Sequence, residues 1–437
     1  MLKRIFIGLF VLVVLVVLVG LGMFALAWRP ALPPIDPPVA SSFPDALIVK
    51  GEQLAGAGYC ATCHTAKGGQ TYAGGFGLES GFGTIYSTNI TPDPETGIGR
   101  WSEAAFARAM HEGVARDGSQ LLPAFPYTHF TKVSDDDLKA LYAYFMTRQP
   151  VKAEARRNTL PFPLSIRALQ AGWKLLFFDF DKGVYQAQAG KSEEWNRGAY
   201  LAEGLGHCSA CHTPRNSLGG ERSDAAYAGA PIEGWLAPAL TAANPAPMPW
   251  TQDDLYAYLR SGASTHHGVA AGSMSEVVRG LAKLPDADVR AIAVYFADRN
   301  GSAAQAANAD QALAKAMALA QRDPGVEPEH GARIYLAACA YCHYNGGAAP
   351  LPARPELALS STVNGPDPGS FIHIVVGGIG QKDGMPGAYM PGFGNVLSDA
   401  DIEALAAYLR GSRTAQPPWN DLPGAIAGAR KQSPASP

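Results

Sequence analysis

The six cysteines of the chain form three pairs with the same spacing, and each pair is followed directly by a histidine. The pentapeptides are Cys60-Ala-Thr-Cys63-His64, Cys208-Ser-Ala-Cys211-His212 and Cys339-Ala-Tyr-Cys342-His343. On one helical turn the two thiols can add to the two vinyl groups at one edge of a porphyrin, and the next imidazole reaches the iron. The pattern predicts three covalently attached haems c, with the three histidines as proximal iron ligands.

Two other uses of such a cysteine pair fit the sequence less well. A structural zinc ion needs four ligands, so two pairs would have to close on each other, and the histidine after every pair would have no role. A thioredoxin-like redox pair lies in a pattern of alternating strands and helices, which does not surround these motifs. No cysteine is left over for a disulfide.

Each iron then needs a sixth ligand, which class-I cytochromes c take from a methionine in a later loop. Each cysteine pair lies in one of three similar helical stretches, or copies, of the chain. In each copy the loop follows a glycine that closes the middle helix. The step along the chain from Gly262 to Met274 is nearly the same as the step from Gly377 to Met390. Met385 lies closer to Gly377 and fits less well. The matched spacing therefore predicts Met274 and Met390 as ligands rather than as core filler.

The first copy departs from this spacing. The same step taken from Gly113 reaches Phe125, which cannot bind iron. His129 shares the face of Phe125 if the loop makes a helical turn, so it is the candidate sixth ligand. Met110, His111, a five-coordinate iron and a supporting role for His129 are the alternatives. The histidines assigned to ordinary polar or packed positions are His207, His266, His267, His330 and His373.

The cysteine pairs mark three copies of one helical pattern. Each copy begins with a helical stretch that contains a glycine shortly before the first cysteine: Gly51, Gly198 and Gly331. Each copy ends in a helix whose apolar residues recur three and four apart, at 138–144, 289–295 and 402–408. Ser102 and Thr251 are expected to cap the middle helices of the first two copies. The pattern predicts a mostly α fold of three tandem class-I cytochrome c domains.

Shifts in composition predict the boundaries between these domains. The predicted segments are 1–29 (anchor), 30–45 (Pro-rich linker), 46–150 (first domain), 151–190 (linker), 191–302 (second domain), 303–325 (helical linker), 326–412 (third domain) and 413–437 (flexible tail). Within the first linker between domains, the apolar stretch from Leu164 to Phe180 is expected to pack as a bridging helix, or else to contact a partner or a membrane.

The N-terminal segment predicts a membrane anchor. The uncharged run from Ile5 to Trp28 exceeds the apolar core of a signal peptide and reaches the about 20 residues that a spanning helix needs. Lys3 and Arg4 before the run predict a cytoplasmic N-terminus, which places the haem domains on the periplasmic side of the inner membrane. The alternative is cleavage at Ala25-Leu26-Ala27.

The overall charge argues against a role in binding nucleic acid. The chain has 437 residues and a formal net charge of −3. Binding to nucleic acid would require a basic patch or stripe, and the sequence indicates none.

The segment Phe82-Gly-Thr-Ile-Tyr-Ser-Thr-Asn-Ile-Thr-Pro-Asp-Pro-Glu-Thr-Gly-Ile-Gly-Arg-Trp101, together with the three cysteine motifs, resembles the triple-haem cytochrome c subunits of membrane-bound bacterial dehydrogenases. The resemblance runs from about residue 46 to about residue 412. It implies an electron-transfer subunit, not an enzyme by itself. The partner would be a quinoprotein alcohol or aldehyde dehydrogenase, a flavin-dependent gluconate dehydrogenase or a molybdenum hydroxylase such as nicotinate dehydrogenase. Electrons would leave toward ubiquinone or a terminal oxidase.

The first copy also departs from the common Pro-Ala-Met-Pro loop of this family, because Phe125 replaces the methionine. Phe125 followed by His129 looks most like the cytochromes that accompany molybdenum hydroxylases. Two other functions are weighed against electron transfer: a haem peroxidase that uses the first haem as an open site, and a haem-based gas sensor. The sensor is disfavoured because the sequence shows no signalling domain.

Overall fold

The computed structural model describes residues 2–181, 183–321, 325, 327–343, 351–352, 354–380 and 387–432. These residues are mostly helical and include three short antiparallel hairpins. The chain forms two compact units. The first comprises Met1–Ala187 and Glu203–His207, and the second comprises Gln188–Ala202 and Cys208–Pro437.

The first unit contains the first copy of the helical pattern. Its helices are α1 (Leu2–Ala27), α2 (Asp45–Ala57), α3 (Cys60–Cys63), α4 (Glu103–Glu112), α5 (Tyr127–Phe130), α6 (Asp135–Met146) and α7 (Gln170–Phe177). Short 3-10 helices span Ala40–Ser42 and Arg167–Leu169. Strands β1 (Gly77–Ser80) and β2 (Gly83–Tyr86) form a hairpin in which Gly77 pairs with Tyr86.

The second unit contains the other two copies. The elements of the second copy and its connector are α8 (Glu193–Glu203), α9 (Ser209–His212), β3 (Ala230–Ile232), β4 (Trp235–Ala237), α10 (Gln252–Ser261), β5 (Ala263–Ser264), β6 (Gly268–Val269), α11 (Ser273–Leu281), α12 (Asp286–Arg299), α13 (Ser302–Gln305) and α14 (Ala309–Ala320). Ile232 pairs with Trp235 in the β3–β4 hairpin, and Ala263 pairs with Val269 in the β5–β6 hairpin. Short 3-10 helices span Ser223–Ala225 and Ala306–Asn308.

The third copy follows in the same unit. Its helices are α15 (His330–Ile334), a π-helix (Tyr335–Cys339), α16 (Ala340–His343), a 3-10 helix (Leu357–Leu359), α17 (Ser361–Asn364), α18 (Gly369–Gly377), α19 (Asp399–Arg413) and α20 (Leu422–Gln432). Its core contains Tyr335, Ile372, Ile402 and Leu405, all at most 2% exposed. Ile402 and Leu405 are one helical turn apart on α19, so they bury one face of that helix.

The first and last helices of each copy cross at a glycine. A Cβ atom at the glycine would collide with a backbone carbonyl oxygen of the last helix in all three copies. The colliding pairs are Gly51 with Ala140, Gly198 with Ala291 and Gly331 with Ala404. Because only hydrogen fits between the two backbones, the glycines fix how closely the helices approach. The glycine spacing that marks the repeats in the sequence therefore corresponds to the helix crossing.

Hydroxyl caps begin several of these helices. The side chain of Ser102 accepts a hydrogen bond from the backbone of α4, and Thr251 does so for α10. At α19, Ser398 and Asp401 form a capping box. These caps satisfy backbone N–H groups that the first helical turn leaves unpaired. The two caps predicted from the sequence, Ser102 and Thr251, are confirmed.

The predicted N-terminal transmembrane helix is wrong. A helix that crosses a bilayer needs about 20 consecutive apolar residues. Among the described residues, α1 included, no helix combines the length and the apolar character that crossing requires. The fold class is therefore corrected: the mostly helical part stays, and the transmembrane helix is withdrawn.

The apolar stretch between the first two copies packs on one face only. From α7, Lys174 Nζ donates to the carbonyl oxygen of Gly113 at 2.9 Å and to Oε1 of Gln120 at 2.7 Å. A cation is favourable there because Gly113 ends α4, although burial lowers the pKa of Lys174 to about 8. Leu175 and Leu176, on the other face of α7, are exposed.

The C-terminal segment differs from the flexible tail predicted for 413–437. Residues Leu422–Gln432 form α20, in which Ile426 and Ala429 are fully buried. Trp419, just before this helix, packs against Phe371 with ring centroids 5.4 Å apart. The prediction was wrong for this part because it followed the proline and small-residue content. It overlooked two apolar residues three apart, which form one helical stripe.

Candidate functional site

The three histidines that follow the cysteine pairs share one hydrogen-bonding arrangement. Each directs Nδ1 to a backbone carbonyl oxygen: His64 to Thr88 at 2.7 Å, His212 to Pro238 at 2.7 Å and His343 to Pro355 at 3.1 Å. Because Nδ1–H donates to the carbonyl, the lone pair lies on Nε2, the nitrogen that would bind iron. Such a carbonyl partner fixes the ring orientation of a metal-binding histidine and raises its basicity as a ligand.

Burial also favours the neutral, ligating form of these histidines. Desolvation lowers the pKa of His64, His212 and His343, while the carbonyl hydrogen bonds oppose that shift. A metal ligand must be the neutral imidazole, so the burial and the tautomer both suit iron binding.

The cysteines of each motif lie on one short helical turn or at its edge. In the first copy Cys60 and Cys63 are the two ends of α3, and the backbone N–H of His64 donates to the Cys60 carbonyl. Cys63 and Cys342 are exposed, so a ring attached there has space on the outer side of the turn. Burial raises the pKa of Cys60 to about 12 and that of Cys339 to about 11, which keeps those thiols protonated.

The donor set does not suit zinc. In the part of the chain that the structure describes, no three residues of the His, Cys, Asp or Glu types converge into a group that could hold a metal ion. Two cysteine pairs closed around one ion would form such a group. Each motif instead stands alone with its histidine and its carbonyl, which suits a haem that supplies four nitrogen ligands of its own.

The predicted ligand Met274 is the second residue of α11 and is half-buried. The preceding Gly272 has φ of 58°, and a Cβ on it would lie 2.8 Å from the indole of Trp235. Trp235 begins the strand that leads to Pro238, whose carbonyl holds His212. Trp235 therefore connects two parts of the second site: it packs against the loop of Met274, and it begins the strand that leads to the carbonyl that holds His212.

The predicted ligand Met390 lies in a backbone bridge. Its N–H donates to the carbonyl of Ile379 at 3.0 Å, and its own carbonyl accepts from Ile379 at 2.9 Å. Three residues later, the N–H of Phe393 donates to the carbonyl of Val375 near the end of α18 at 2.8 Å. The Met390 side chain is half-buried. Met385, weighed against it, lies outside the described residues.

The glycines used to measure these spacings close their helices as expected in two copies. Gly113 and Gly262 follow α4 and α10 with φ of 62° and 82°, the left-handed conformation that glycine adopts without strain. In the third copy the last helical residue is Gly377, and the closing residue is Gly378 with φ of 75°.

His129 lies on α5, as the helical-turn argument predicts, and is buried. Its Nδ1 is 3.2 Å from the carbonyl oxygen of Glu203. Phe125 packs against Phe130 with ring centroids 5.2 Å apart. The alternative His111 directs Nε2 to the carbonyl of Val133 at 2.8 Å.

Sequence reasoning missed a contact between the residues that precede two cysteine pairs. The hydroxyl of Tyr59, next to Cys60, lies 2.9 Å from Nδ1 of His207, next to Cys208. Both residues have positive φ, 34° and 31°, which is uncommon for residues other than glycine. The His207 ring also lies 6.2 Å from the ring of His129, centroid to centroid. Only its position beside a cysteine pair could have marked His207 in the sequence.

A second histidine assigned to an ordinary position is fully enclosed. The ring of His267 stacks on Trp250 with centroids 3.7 Å apart and planes 10° apart, and its side chain has no exposed surface. Nearby, Asp254 accepts hydrogen bonds from the hydroxyls of Thr251 and Ser264, both at 2.6 Å. Although burial opposes the shift, the hydroxyls of Ser264 and Thr251 hold the pKa of Asp254 below its usual value.

Two parts of the chain match known cytochrome families. Residues 48–149 match the family described as cytochrome c. Residues 326–409 match the family described as cytochrome c oxidase, cbb3-type, subunit III. These ranges contain the first and third cysteine motifs.

Curated proteins similar to most of the chain are components of dehydrogenases. The B subunit of nicotinate dehydrogenase from Pseudomonas putida is 47% identical over 408 residues, 92% of this chain, but the match covers only 34% of that longer protein. The gluconate 2-dehydrogenase cytochrome c subunit of Pantoea cypripedii is 40% identical over 84% of this chain and 86% of its own length. The alcohol dehydrogenase (quinone) cytochrome c subunit of Gluconobacter oxydans is 37% identical over 87% of this chain and 80% of its length.

Proposed function

This chain belongs to the family of haem cytochrome c subunits of membrane dehydrogenases and transfers electrons, and we propose that it does so through three haems c. The observation that carries the count is the recurrence of one arrangement, a histidine after a cysteine pair with Nδ1 on a backbone carbonyl, in all three copies. The six cysteines would hold the rings, and Met274, Met390 and His129 would complete the irons.

The haem iron, once attached, supplies the reversible change between Fe(III) and Fe(II). The chain makes and breaks no substrate bond. Its residues hold the axial ligands in place: the carbonyls of Thr88, Pro238 and Pro355 orient the three imidazoles. The burial around these imidazoles tunes the potential, because axial ligand identity, hydrogen bonding and dielectric are the levers a protein has on a haem.

The partner that we propose is a dehydrogenase catalytic subunit of the nicotinate dehydrogenase type, a molybdenum hydroxylase. Two observations support it over the quinoprotein and flavin types. Identity to the nicotinate dehydrogenase relative is 47%, compared with 40% for the gluconate protein and 37% for the alcohol protein. In addition, Phe125 replaces the loop methionine, and His129 lies buried on the following helical turn.

The downstream acceptor and the location complete the proposal. We propose that electrons leave toward ubiquinone or a terminal oxidase, and that the haem domains work on the periplasmic side of the inner membrane, where such partners meet. The family membership supports both points. Digestion of intact spheroplasts by an added protease tests the location. The haem domains should be cut without lysis, and protection until lysis would contradict this location.

The alternative of a haem peroxidase finds no support among these relatives, which are named as subunits of dehydrogenases. The distinction is testable by spectroscopy, because an open peroxidase site has high-spin iron that binds peroxide. The proposed first haem should instead be low-spin in the resting protein.

The partner is identified by purifying the native complex through a tag on this chain. We expect a catalytic subunit with bound molybdenum, detected by metal analysis of the co-purified protein, and reduction of the haems when its substrate is added. A co-purified flavoprotein or quinoprotein would overturn the partner assignment and leave electron transfer intact. Haem-loaded protein that no dehydrogenase can reduce would contradict the electron-accepting role.

A further inference from the structure

The β3–β4 hairpin of the second copy contacts the third copy within the same compact unit. The backbone N–H of Leu236 donates to the hydroxyl of Ser370 on α18 at 2.8 Å. The ring of Trp235 stacks nearly parallel to His373 of α18, with centroids 4.9 Å apart and planes 14° apart. Next to this tryptophan, Gly234 has φ of 80°, and a Cβ there would lie 2.6 Å from Nε2 of His373. A glycine is therefore required for the two rings to meet.

Trp235 also lies against the backbone of the second haem site. Its indole contacts Gly272, two residues before the predicted ligand Met274, closely enough that a Cβ would lie 2.8 Å away. Pro238, three residues after Trp235, holds His212 through its carbonyl at 2.7 Å. One ring is thus joined by short stretches of chain to both predicted axial ligands of the second iron.

On the other side of the stack, His373 leads toward the third site. It is 5% exposed and lies about one turn before the end of α18. The end of α18 contacts the segment that contains Met390, the predicted sixth ligand of the third iron. The contact is a hydrogen bond from the N–H of Phe393 to the carbonyl of Val375 at 2.8 Å. A Cβ on Gly378 would collide with the carbonyl oxygen of Met390. His373 therefore belongs to the helix that the Met390 loop packs against.

We propose that the stacked pair of Trp235 and His373 carries electrons between the haem of His212 and the haem of His343. Electron tunnelling weakens steeply across gaps and less steeply through bonded and closely packed atoms. The near-parallel, offset stack of the two aromatic rings brings the two copies into direct side-chain contact. With haems bound, one electron would pass from the reduced to the oxidised haem, and the side chains of Trp235 and His373 would be neither oxidised nor reduced.

The inference rests on the haems proposed at these two positions, so haem content is measured first in every sample. The readout is proton NMR of haem methyl groups in partly oxidised protein. When electron exchange between the two haems is fast, each haem methyl group gives one signal at the average of its oxidised and reduced shifts. When exchange is slow, the oxidised and reduced states give separate signals. This readout depends on the rate of exchange and needs no dehydrogenase or substrate.

Substitutions then separate electron transfer from packing. Trp235→Leu should slow the exchange several-fold, so that averaged signals broaden and separate. Haem content and the potential of each haem are measured in the same sample, because Trp235 also packs against the Met274 loop. Trp235→Phe and His373→Phe keep an aromatic stack and should retain most of the exchange rate. Trp195→Phe is the matched control, because Trp195 is buried in the same copy and packs on Tyr295, with ring centroids 5.1 Å apart.

The outcomes distinguish the inference from the proposed function. Separate signals in the unchanged protein, or fast exchange in Trp235→Leu with all haems present, would overturn the bridge alone. Loss of the second or third haem from the unchanged protein would overturn the proposed haem assignment itself. If Trp235→Leu fails to fold, His373→Ala is compared with His373→Phe. Slower electron exchange in His373→Ala, with the rate retained in His373→Phe, supports the bridge. Equal exchange rates in the two variants refute it.

Discussion

Nδ1 of His129 lies 3.2 Å from the carbonyl oxygen of Glu203, the same kind of contact that orients the three histidines of the cysteine motifs. In those motifs the carbonyl sets the tautomer, so that Nε2 is the nitrogen that would bind the proposed iron. His129 is also buried, as a ligand in a closed haem pocket must be. The carbonyl contact and the burial support the proposal for His129, which stays a prediction.

The first prediction is that His129→Ala converts one haem to the high-spin state and leaves the other two low-spin. Removing the imidazole opens the sixth position of that iron alone. Absorption and EPR spectra of the purified protein should show the change. In the unchanged protein the first haem should also have the lowest potential of the three, since imidazole favours Fe(III) more than a thioether does.

The matched control for this variant is His111→Ala, because His111 is the alternative histidine and its Nε2 is directed to the Val133 carbonyl. His111→Ala should keep all three haems low-spin. Should His129→Ala leave every spectrum intact, the assignment of this ligand is wrong, and Met110 is the next residue to test.

The second prediction concerns the methionine ligands. Met274→Ala and Met390→Ala should each turn a different single haem high-spin and remove its share of the weak sulfur-to-iron absorption band in the oxidised protein. Met248→Leu is the control, because Met248 is buried in an apolar cluster with Ala316 and Leu359. The ligand assignments would be refuted if Met248→Leu showed a high-spin signal. They would also be refuted if neither Met274→Ala nor Met390→Ala showed one.

The third prediction is the haem count. Mass spectrometry of the denatured chain should show three haem adducts that survive acid-acetone extraction, because thioether bonds are covalent. The double change Cys208→Ala with Cys211→Ala should remove one adduct and leave two. Any other count in either protein contradicts the assignment of one haem to each pair.

The fourth prediction is a loss of stability in mild acid that depends on His267. Burial lowers the pKa of His267 to about 4, whereas the pKa of a histidine in an unfolded chain is about 6.5. Between these values the unfolded chain binds more protons, so stability falls as the pH drops from about 6.5 to about 4, by up to about 3 kcal/mol. The midpoint of guanidinium unfolding, followed by circular dichroism, measures it.

The comparison variant is His267→Phe, which keeps a ring against Trp250 but cannot take up a proton. Its unfolding midpoint should change less between the same two pH values. Asp254 has a lowered pKa, so its contribution is lost only below this window and does not obscure the result. Equal slopes in the two proteins would show that His267 does not titrate on unfolding.

The fifth prediction tests the helix crossings. Gly331→Ala should destabilise the third copy by about 2 kcal/mol or more, because the new methyl group collides with the Ala404 carbonyl and forces the helices apart. Gly411→Ala is the control in the partner helix α19, where a Cβ meets nothing within 4 Å. That change should stabilise the protein by up to about 1 kcal/mol. Equal effects on thermal unfolding would refute the crossing as the cause.

Sequence reasoning predicted the local features well. Helix periodicity, the caps Ser102 and Thr251 and the glycines that close α4 and α10 all depend on residues a few positions apart. The placement of His129 on a helical turn follows from the same short-range logic. These features could be predicted because their physical causes lie within one or two turns of chain.

Features that depend on contacts between distant residues could not be predicted in this way. Nothing near Trp235 in the sequence indicates a stack with His373. The contact between Tyr59 and His207 likewise joins residues far apart in the chain. Such contacts are set by tertiary packing, which pattern and composition do not specify.

The glycine crossings have a consequence for the order of events during synthesis. The helix that begins each copy is joined to its partner only after almost the whole copy has been made, and closing so long a loop is slow. Before that, an isolated helix of this length is only marginally stable in water. At about 5–20 residues per second, the cysteine pair stays in open chain for seconds before the last helix arrives. Each cysteine pair therefore leaves the ribosome before the helix crossing of its own copy can form.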